Sequence, residues 1–367
     1  MSIPSPFARI QTETGAVFVE RFGLSLPEHF GGPEAEYRAA RQALGLVDLS
    51  FRGVLSLGGS ERLRWLNGQI TNEVKGLGAG QGVLAAALNV KGRILADLAV
   101  YGRPDSVWID LPRQCADVVR QTFDRHIIAD DVTVADLCDR LAHLTIVGPE
   151  APSCLAGLVG EAAAALRPWQ HAEVSIAGAP ATLVAADWLK LPEFDLLFPV
   201  GAAETVWRTL AERGGSPVGM AALDRLRIEA GWPWYGVDFD EENLLLEALS
   251  PAHVSFTKGC YLGQEVVIRI EHQGHLNKKL CGLTVTGTAA PPVGATLQVG
   301  ERKVGTVTSS TWSPALRRPL ALGYVRREAW DPGTTIGVAW ADGTATADVV
   351  PLPFLAGDAS AAESRKG

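Results

Sequence analysis

Eight consecutive residues, Lys258-Gly259-Cys260-Tyr261-Leu262-Gly263-Gln264-Glu265, set a cation, a thiol, a phenol and an amide beside a carboxylate. The two glycines free the backbone from side-chain crowding, so the chain there can turn sharply or approach a ligand closely. A thiol near Lys258, and near a helix starting at about Gly263, is drawn toward the thiolate, its nucleophilic form. Cys260 is therefore either a reactive group or, as isolated cysteines often are, a small buried side chain. Lys258 either pairs with the anionic tail of a ligand or is a solvated turn residue, and Gln264 either bonds a ligand or caps a neighbouring loop. Glu265 and Arg269 stand four apart, the spacing of a surface ion pair if residues 263–273 are helical, although the same letters also alternate as a strand.

Asp97 interrupts Ile94-Leu95-Ala96-Asp97-Leu98-Ala99-Val100, a strand pattern that is otherwise apolar on both faces. A carboxylate in such surroundings is costly unless paired. Either an arginine neutralises it for structural reasons, or it is kept to bind a polar ligand or to move a proton. Trp232, Trp234 and Tyr235 crowd around Pro233 and Gly236, offering flat walls for a ring system or packing at a domain junction. His272 and His275 are three apart with Gly274 between them and no evident third ligand, so no metal site is expected. The glycines of residues 76–82 follow a predicted helix and precede a predicted strand, the reverse of a dinucleotide fingerprint. No Gly-Lys-Ser or Gly-Lys-Thr occurs, so there is no phosphate loop.

These residues need a scaffold of more than one core, and a chain of 367 residues with 47% hydrophobic content supplies two or three domains. A net charge of -8 argues against a protein that holds a long polyanion, so no direct nucleic-acid role is expected. Five cysteines without a Cys-x-x-Cys pair fit a reducing cytoplasm better than a disulfide framework. The first residues lack the pattern of a signal peptide, and no apolar run approaches a membrane span. Helices are predicted over residues 33–44, 60–70, 160–166, 203–213 and 220–230, the last two ending at glycines. Strands are predicted over 83–88, 93–101 and 107–110 as an antiparallel meander, and over 144–147, 182–186 and 194–200. After about Leu280, short strands alternate with Pro291-Pro292, Asp331-Pro332-Gly333 and Asp342-Gly343, the composition of a small β-barrel. The polar tail from residue 357 reads as disordered.

Read as Phe256-Thr257 followed by the eight residues above, the motif resembles the signature of the YgfZ family, folate-binding relatives of the glycine-cleavage T-protein that support iron–sulfur enzymes. Arg227-Ile228-Glu229-Ala230-Gly231-Trp232-Pro233 and Leu88-Asn89-Val90-Lys91-Gly92-Arg93 stand in the order that this family and the T-protein share. The resemblance implies an α+β, three-domain, T-protein-like architecture around a central opening. Residues 1–50 and 135–278 would form a discontinuous folate-binding domain, 51–134 an inserted α+β domain, 279–356 the barrel and 357–367 the tail. It also implies tetrahydrofolate or a derivative as cofactor, and iron–sulfur enzymes or their assembly proteins as partners.

By position Asp97 matches the aspartate that the T-protein uses next to folate. Asp195 is similar in placement to the glutamate that accepts hydrogen bonds from the pterin, whose edge offers two adjacent N–H donors suited to an ionised carboxylate. The plain alternative for Asp195 is an exposed acid at a strand edge. Leu111 replaces an asparagine of the T-protein, and Leu223 replaces the arginine that grips folate. The expectation is thus a cytoplasmic folate-binding protein of the YgfZ type. The alternative is a tetrahydrofolate-dependent aminomethyltransferase, which the intact Asp97 keeps open. Asp97 and Cys260 are the expected reactive residues, and Asp195, Trp234, Tyr235, Lys258 and Gln264 the expected cofactor contacts.

Overall fold

The computed structural model describes residues 2–274 and 276–355; His275 and the tail read as disordered lie outside the described residues. Two sheets share one core. In the first, strands run in the order His171–Ile176, Ala179–Ala186, Glu193–Pro199, Leu141–Val147, Gly45–Asp48, Ser216–Val218; in the second, Gly82–Leu88, Ile94–Gly102, Val107–Pro112, Arg52–Gly58, Thr133–Asp136. The predicted meander is the first three strands of the second sheet, paired antiparallel throughout.

Alternation along each strand decides what lies between the sheets. Ala96, Leu98 and Val100 face an outer cluster with Ile109, Leu111, Leu55 and Leu57, while Ala99 and Tyr101 face the shared core with Val54. In the first sheet Leu144, Ile146, Leu196 and Phe198 face a separate outer cluster, while Val147, Val184 and Leu197 face the shared core. The polar residues at the alternate positions therefore meet between the sheets: Asp97, Asp110 and Arg52 from one side, His143, Thr145, Glu193 and Asp195 from the other.

The C-terminal region closes into a six-stranded barrel, Lys278–Val285, Arg318–Arg326, Arg302–Ser313, Thr296–Val299, Thr335–Trp340 and Gly343–Val350. This is the small β-barrel that the alternation of short strands and turns after about Leu280 predicts. Helix Met220–Glu229 docks the barrel. Arg227, about 1% exposed, bonds Asp224 at 2.7 Å, Asp238, and Ser309 Oγ on the barrel at 2.6 Å. Glu229 accepts hydrogen bonds from Tyr37 at 2.8 Å, Arg41 at 3.0 Å, and Ser313 of the same barrel strand. The stretch after the barrel folds back, and Leu352 packs against Gly231. The first thirty residues add a short helix and a three-stranded sheet, Ile3–Pro4, Leu24–His29, Val17–Arg21. Among the described residues no helix is long and apolar enough to cross a membrane.

Candidate functional site

A cavity of about 810 Å³ opens where the two sheets meet the barrel and the segment before the Lys258 motif. Trp169, Trp188 and Trp232 wall one side, joined by Phe256, with Asp97 and His253 among the polar groups. Trp188 and Trp232 stack at 4.8 Å between ring centres and 19° between planes, and Trp169 meets Trp188 edge-on at 4.6 Å. A narrower cleft continues past Asp97, Trp232 and Pro233, lined by Phe22, Phe51, Trp234 and Tyr235. Ring-stacking surfaces with a few polar groups are the make-up of a site for a flat heterocycle.

Asp97 is the outermost member of a buried charge network. Arg52 donates from Nη1 to Asp97 Oδ2 at 3.0 Å and from Nε to Asp110 at 2.5 Å, and its guanidinium lies 4.8 Å from the Trp188 ring centre. Beyond Asp110, His143 stands 4.0 Å from its Oδ2 and 3.5 Å from Asp195 Oδ2. Asp195 also accepts hydrogen bonds from Thr145 and, at 3.3 Å, from Trp188 Nε1. Asp110, His143 and Asp195 offer ligand atoms within 4.8 Å of one another, the donor types of a metal site. The guanidinium beside Asp110 already supplies positive charge at this cluster.

Burial alone would push the His143 pKa down, but the neighbouring Asp195 and Asp110 carboxylates outweigh it and raise it. Burial, reinforced by the Asp195 charge, holds Glu193 well above the usual carboxylate range. Burial also raises Asp110, against the pull of Arg52 and His143. All three hold protons more tightly folded than unfolded. The stability they contribute is present below their unfolded values and is lost as pH rises through the folded ones. The melting temperature is accordingly expected to fall as pH rises above the unfolded imidazole value of about 6.5. His143→Gln should flatten that part of the profile; a slope unchanged in the variant would take His143 out of the network's titration.

Residues 7–258 match the GCVT N-terminal domain family, and residues 278–355 match the glycine cleavage T-protein C-terminal barrel domain. The chain belongs to the glycine-cleavage T-protein family. It is similar to the aminomethyltransferase of Rubrobacter xylanophilus, 32% identical over 93% of this chain and 91% of the relative. The aminomethyltransferase of Synechococcus sp. strain RCC307 is also 32% identical, over 95% of this chain and 98% of its own length. In fold the chain matches the crystal structure of glycine cleavage system aminomethyltransferase T from Bartonella henselae, with a TM-score of 0.89 over 97% of this chain and 99% of that one at 23% identity. The T-protein fold with its C-terminal barrel is thus the architecture of this chain.

Within this T-protein fold the sequence-derived candidates separate by location. Asp97 lines the cavity. Trp234 and Tyr235 line the narrower cleft beside it. Asp195 is fully buried rather than at an exposed edge, and Trp188 stands between it and the cavity, so its oxygens face Thr145, His143 and the indole. Leu111 and Leu223 are buried in two different clusters, and neither lines the cavity.

The Lys258 motif reaches the cavity through Phe256 only. Lys258 Nζ donates to the carbonyls of Asn67, Ile70 and Asn72 at 2.6, 2.8 and 2.7 Å, closing the end of helix Arg62–Asn67. All three of its N–H donors are thereby taken up, leaving none for an anionic ligand tail. Gly263 has φ +79°, and a Cβ there would stand 2.7 Å from Asn89 O. Gly92 has φ +70°, and a Cβ there would stand 2.7 Å from Val266. The Leu88–Arg93 segment thus packs closely on the Lys258 motif and the helix that follows it, Gly263 against the Asn89 backbone and Gly92 against the Val266 side chain. Residues 264–273 are helical, with Glu265 and Arg269 in an exposed pair at 3.9 Å. Gln264 lies in a shallow surface groove with Ile268 and His272, and Cys260 is exposed.

Sequence reading missed Arg52, Asp110, His143 and His253. Arg52 and Asp110 carry the same signal that marked Asp97, a charge in an apolar strand pattern.

Proposed function

We propose that this chain binds a reduced folate in the central cavity and there takes part in tetrahydrofolate-dependent one-carbon transfer. The observation that carries this reading is the cavity itself: stacked indoles wide enough for a pterin, with an ion-paired carboxylate beside them and about 810 Å³ of room. When bound, tetrahydrofolate supplies the nitrogen atoms that carry the one-carbon unit. The protein's part is to hold and shield. The Trp188–Trp232 pair offers a face for the ring and keeps water from it. Asp97 Oδ2 takes the Arg52 bond, which fixes the carboxylate and leaves Oδ1 to accept a hydrogen bond or a proton from a ring nitrogen. Lys279 on the cavity wall is placed to meet an anionic tail.

A second reading is favoured by one observation. The exposed Cys260 sits on a segment fastened on both sides, by Lys258 and by the Gly263 contact, which suits a displayed thiol. In that YgfZ-type reading the cytoplasmic protein binds folate without turnover and supports iron–sulfur enzymes through this surface. Calorimetric titration with tetrahydrofolate, followed by an assay with an aminomethylated lipoyl carrier, separates the two. Turnover supports transfer, and binding without turnover moves the conclusion to the second reading. Absence of binding defeats both. Under the second reading Cys260→Ser lowers iron–sulfur enzyme activity in cells while folding is unchanged; full activity in the variant would remove Cys260 from the mechanism.

A further inference from the structure

His253 is a cavity-lining residue that no expectation from the sequence singled out. It is about 8% exposed and ends the short turn Pro251–His253, whose backbone is held from two sides. Thr71 Oγ1 donates to the His253 carbonyl at 2.5 Å, and Asn72 Nδ2 donates to the Ala252 carbonyl at 3.0 Å. A side chain on so fixed a turn is pre-positioned. His253 Nδ1 lies 3.3 Å from the Ser250 carbonyl oxygen, which can only accept, and 3.3 Å from Ser250 Oγ, which can accept as well as donate, so the tautomer that suits both contacts carries its hydrogen on Nδ1. In the neutral ring Nε2 is then a lone-pair acceptor. Burial supports that state by lowering the imidazole pKa, against the opposing influence of Asp97. Two acceptors, Asp97 and His253, therefore line one cavity, and they call for N–H donors on whatever lies between.

We propose that His253 reads the oxidation state of the bound pterin, its Nε2 accepting a hydrogen bond from a ring N–H that only the reduced ring carries. The inference rests on the folate reading above and adds a specificity to it. In the tetrahydro ring, N5 and N8 bear hydrogens. In the fully oxidised ring both are bare lone pairs, so an acceptor facing either is left unpaired in a desolvated site. A site built to bond an N–H rejects the analogue that lacks it more strongly than an apolar wall rejects a change of shape.

The test is calorimetric titration of the full chain with tetrahydrofolate and with folic acid, for the wild type, His253→Leu and His253→Gln. The wild type should prefer the reduced ligand by roughly 10- to 100-fold. His253→Leu should lose most of that preference through weaker binding of the reduced ligand, while His253→Gln, whose carbonyl oxygen is again an acceptor, should recover part of it. With nitrogen-labelled histidine in the wild type, the Nε2 resonance should shift on addition of tetrahydrofolate and stay in place with folic acid; this readout does not depend on a variant folding. Equal affinity of the wild type for both ligands, or a preference that persists in His253→Leu, overturns the inference while the folate reading stands. Binding of neither ligand overturns the folate reading itself.

Discussion

Replacing Arg52 by methionine is expected to destabilise the folded chain by on the order of 3–5 kcal/mol, read as a lower urea midpoint at an unchanged slope. Arg52 is the guanidinium shared by two buried carboxylates, Asp97 at 3% and Asp110 at 0% exposure. Methionine fills much of the same volume, so packing against Trp188 is largely kept and the loss is mainly electrostatic. Removing the guanidinium leaves two buried acids without the partner that both bond, and each must take up a proton or stay charged at high cost. Arg52→Lys should fall between, because an ammonium is a point charge and cannot fork to both partners as the planar guanidinium does. Adding Asp110→Asn to Arg52→Met should return part of the loss, since the two residues act as a unit. A midpoint within about 0.5 kcal/mol of wild type for Arg52→Met would mean that the network does not hold the sheets together.

The elements that could be read from the sequence were those with a clean period. Residues 83–88, 93–101 and 107–110 alternate or run apolar between obvious turns, and they form the strands Gly82–Leu88, Ile94–Gly102 and Val107–Pro112. The helices ending at Gly214 and Gly231 were placed by their glycine stops, and they run over Ala203–Ala211 and Met220–Glu229. The alanine-rich helix expected over 160–166 is the short Glu161–Ala164, and Gly160 at φ +92° separates it from a helix that the sequence reading did not place, Ala151–Val159. The helix expected over 60–70 begins only at Arg62, and the Ser60 hydroxyl instead bonds Asp131 at 2.7 Å.

The site was less legible, for a physical reason. Asp97 stands out because its strand is apolar on both sides. His143 and His253 do not, since a lone histidine beside apolar residues has many uses and only the fold shows what faces it. The Lys258 motif was conspicuous because it is chemically dense, yet much of that density goes into structure. Lys258 closes a helix end, Gly263 lets two loops touch, and Tyr261 is buried in an apolar cluster.

Asp97→Asn separates the structural part of this carboxylate from its proposed work on the ligand. Asparagine keeps the shape and still offers an oxygen to Arg52 Nη1, while Asp110 continues to balance the guanidinium charge at 2.5 Å. Stability should therefore stay within about 1–2 kcal/mol of wild type, a smaller loss than for Arg52→Met, which strands two charges. Ligand binding should suffer more. A charge-assisted hydrogen bond from a ring N–H becomes a neutral one, so tetrahydrofolate affinity should fall roughly 10- to 100-fold by calorimetry. One-carbon turnover, if the wild type shows it, should fall by about 100-fold or more, because an amide cannot accept a proton at neutral pH. Wild-type affinity in a well-folded Asp97→Asn would leave Asp97 as a partner of Arg52 alone. The cavity would then hold its ligand by its indoles and by His253, without a carboxylate at the reacting nitrogen.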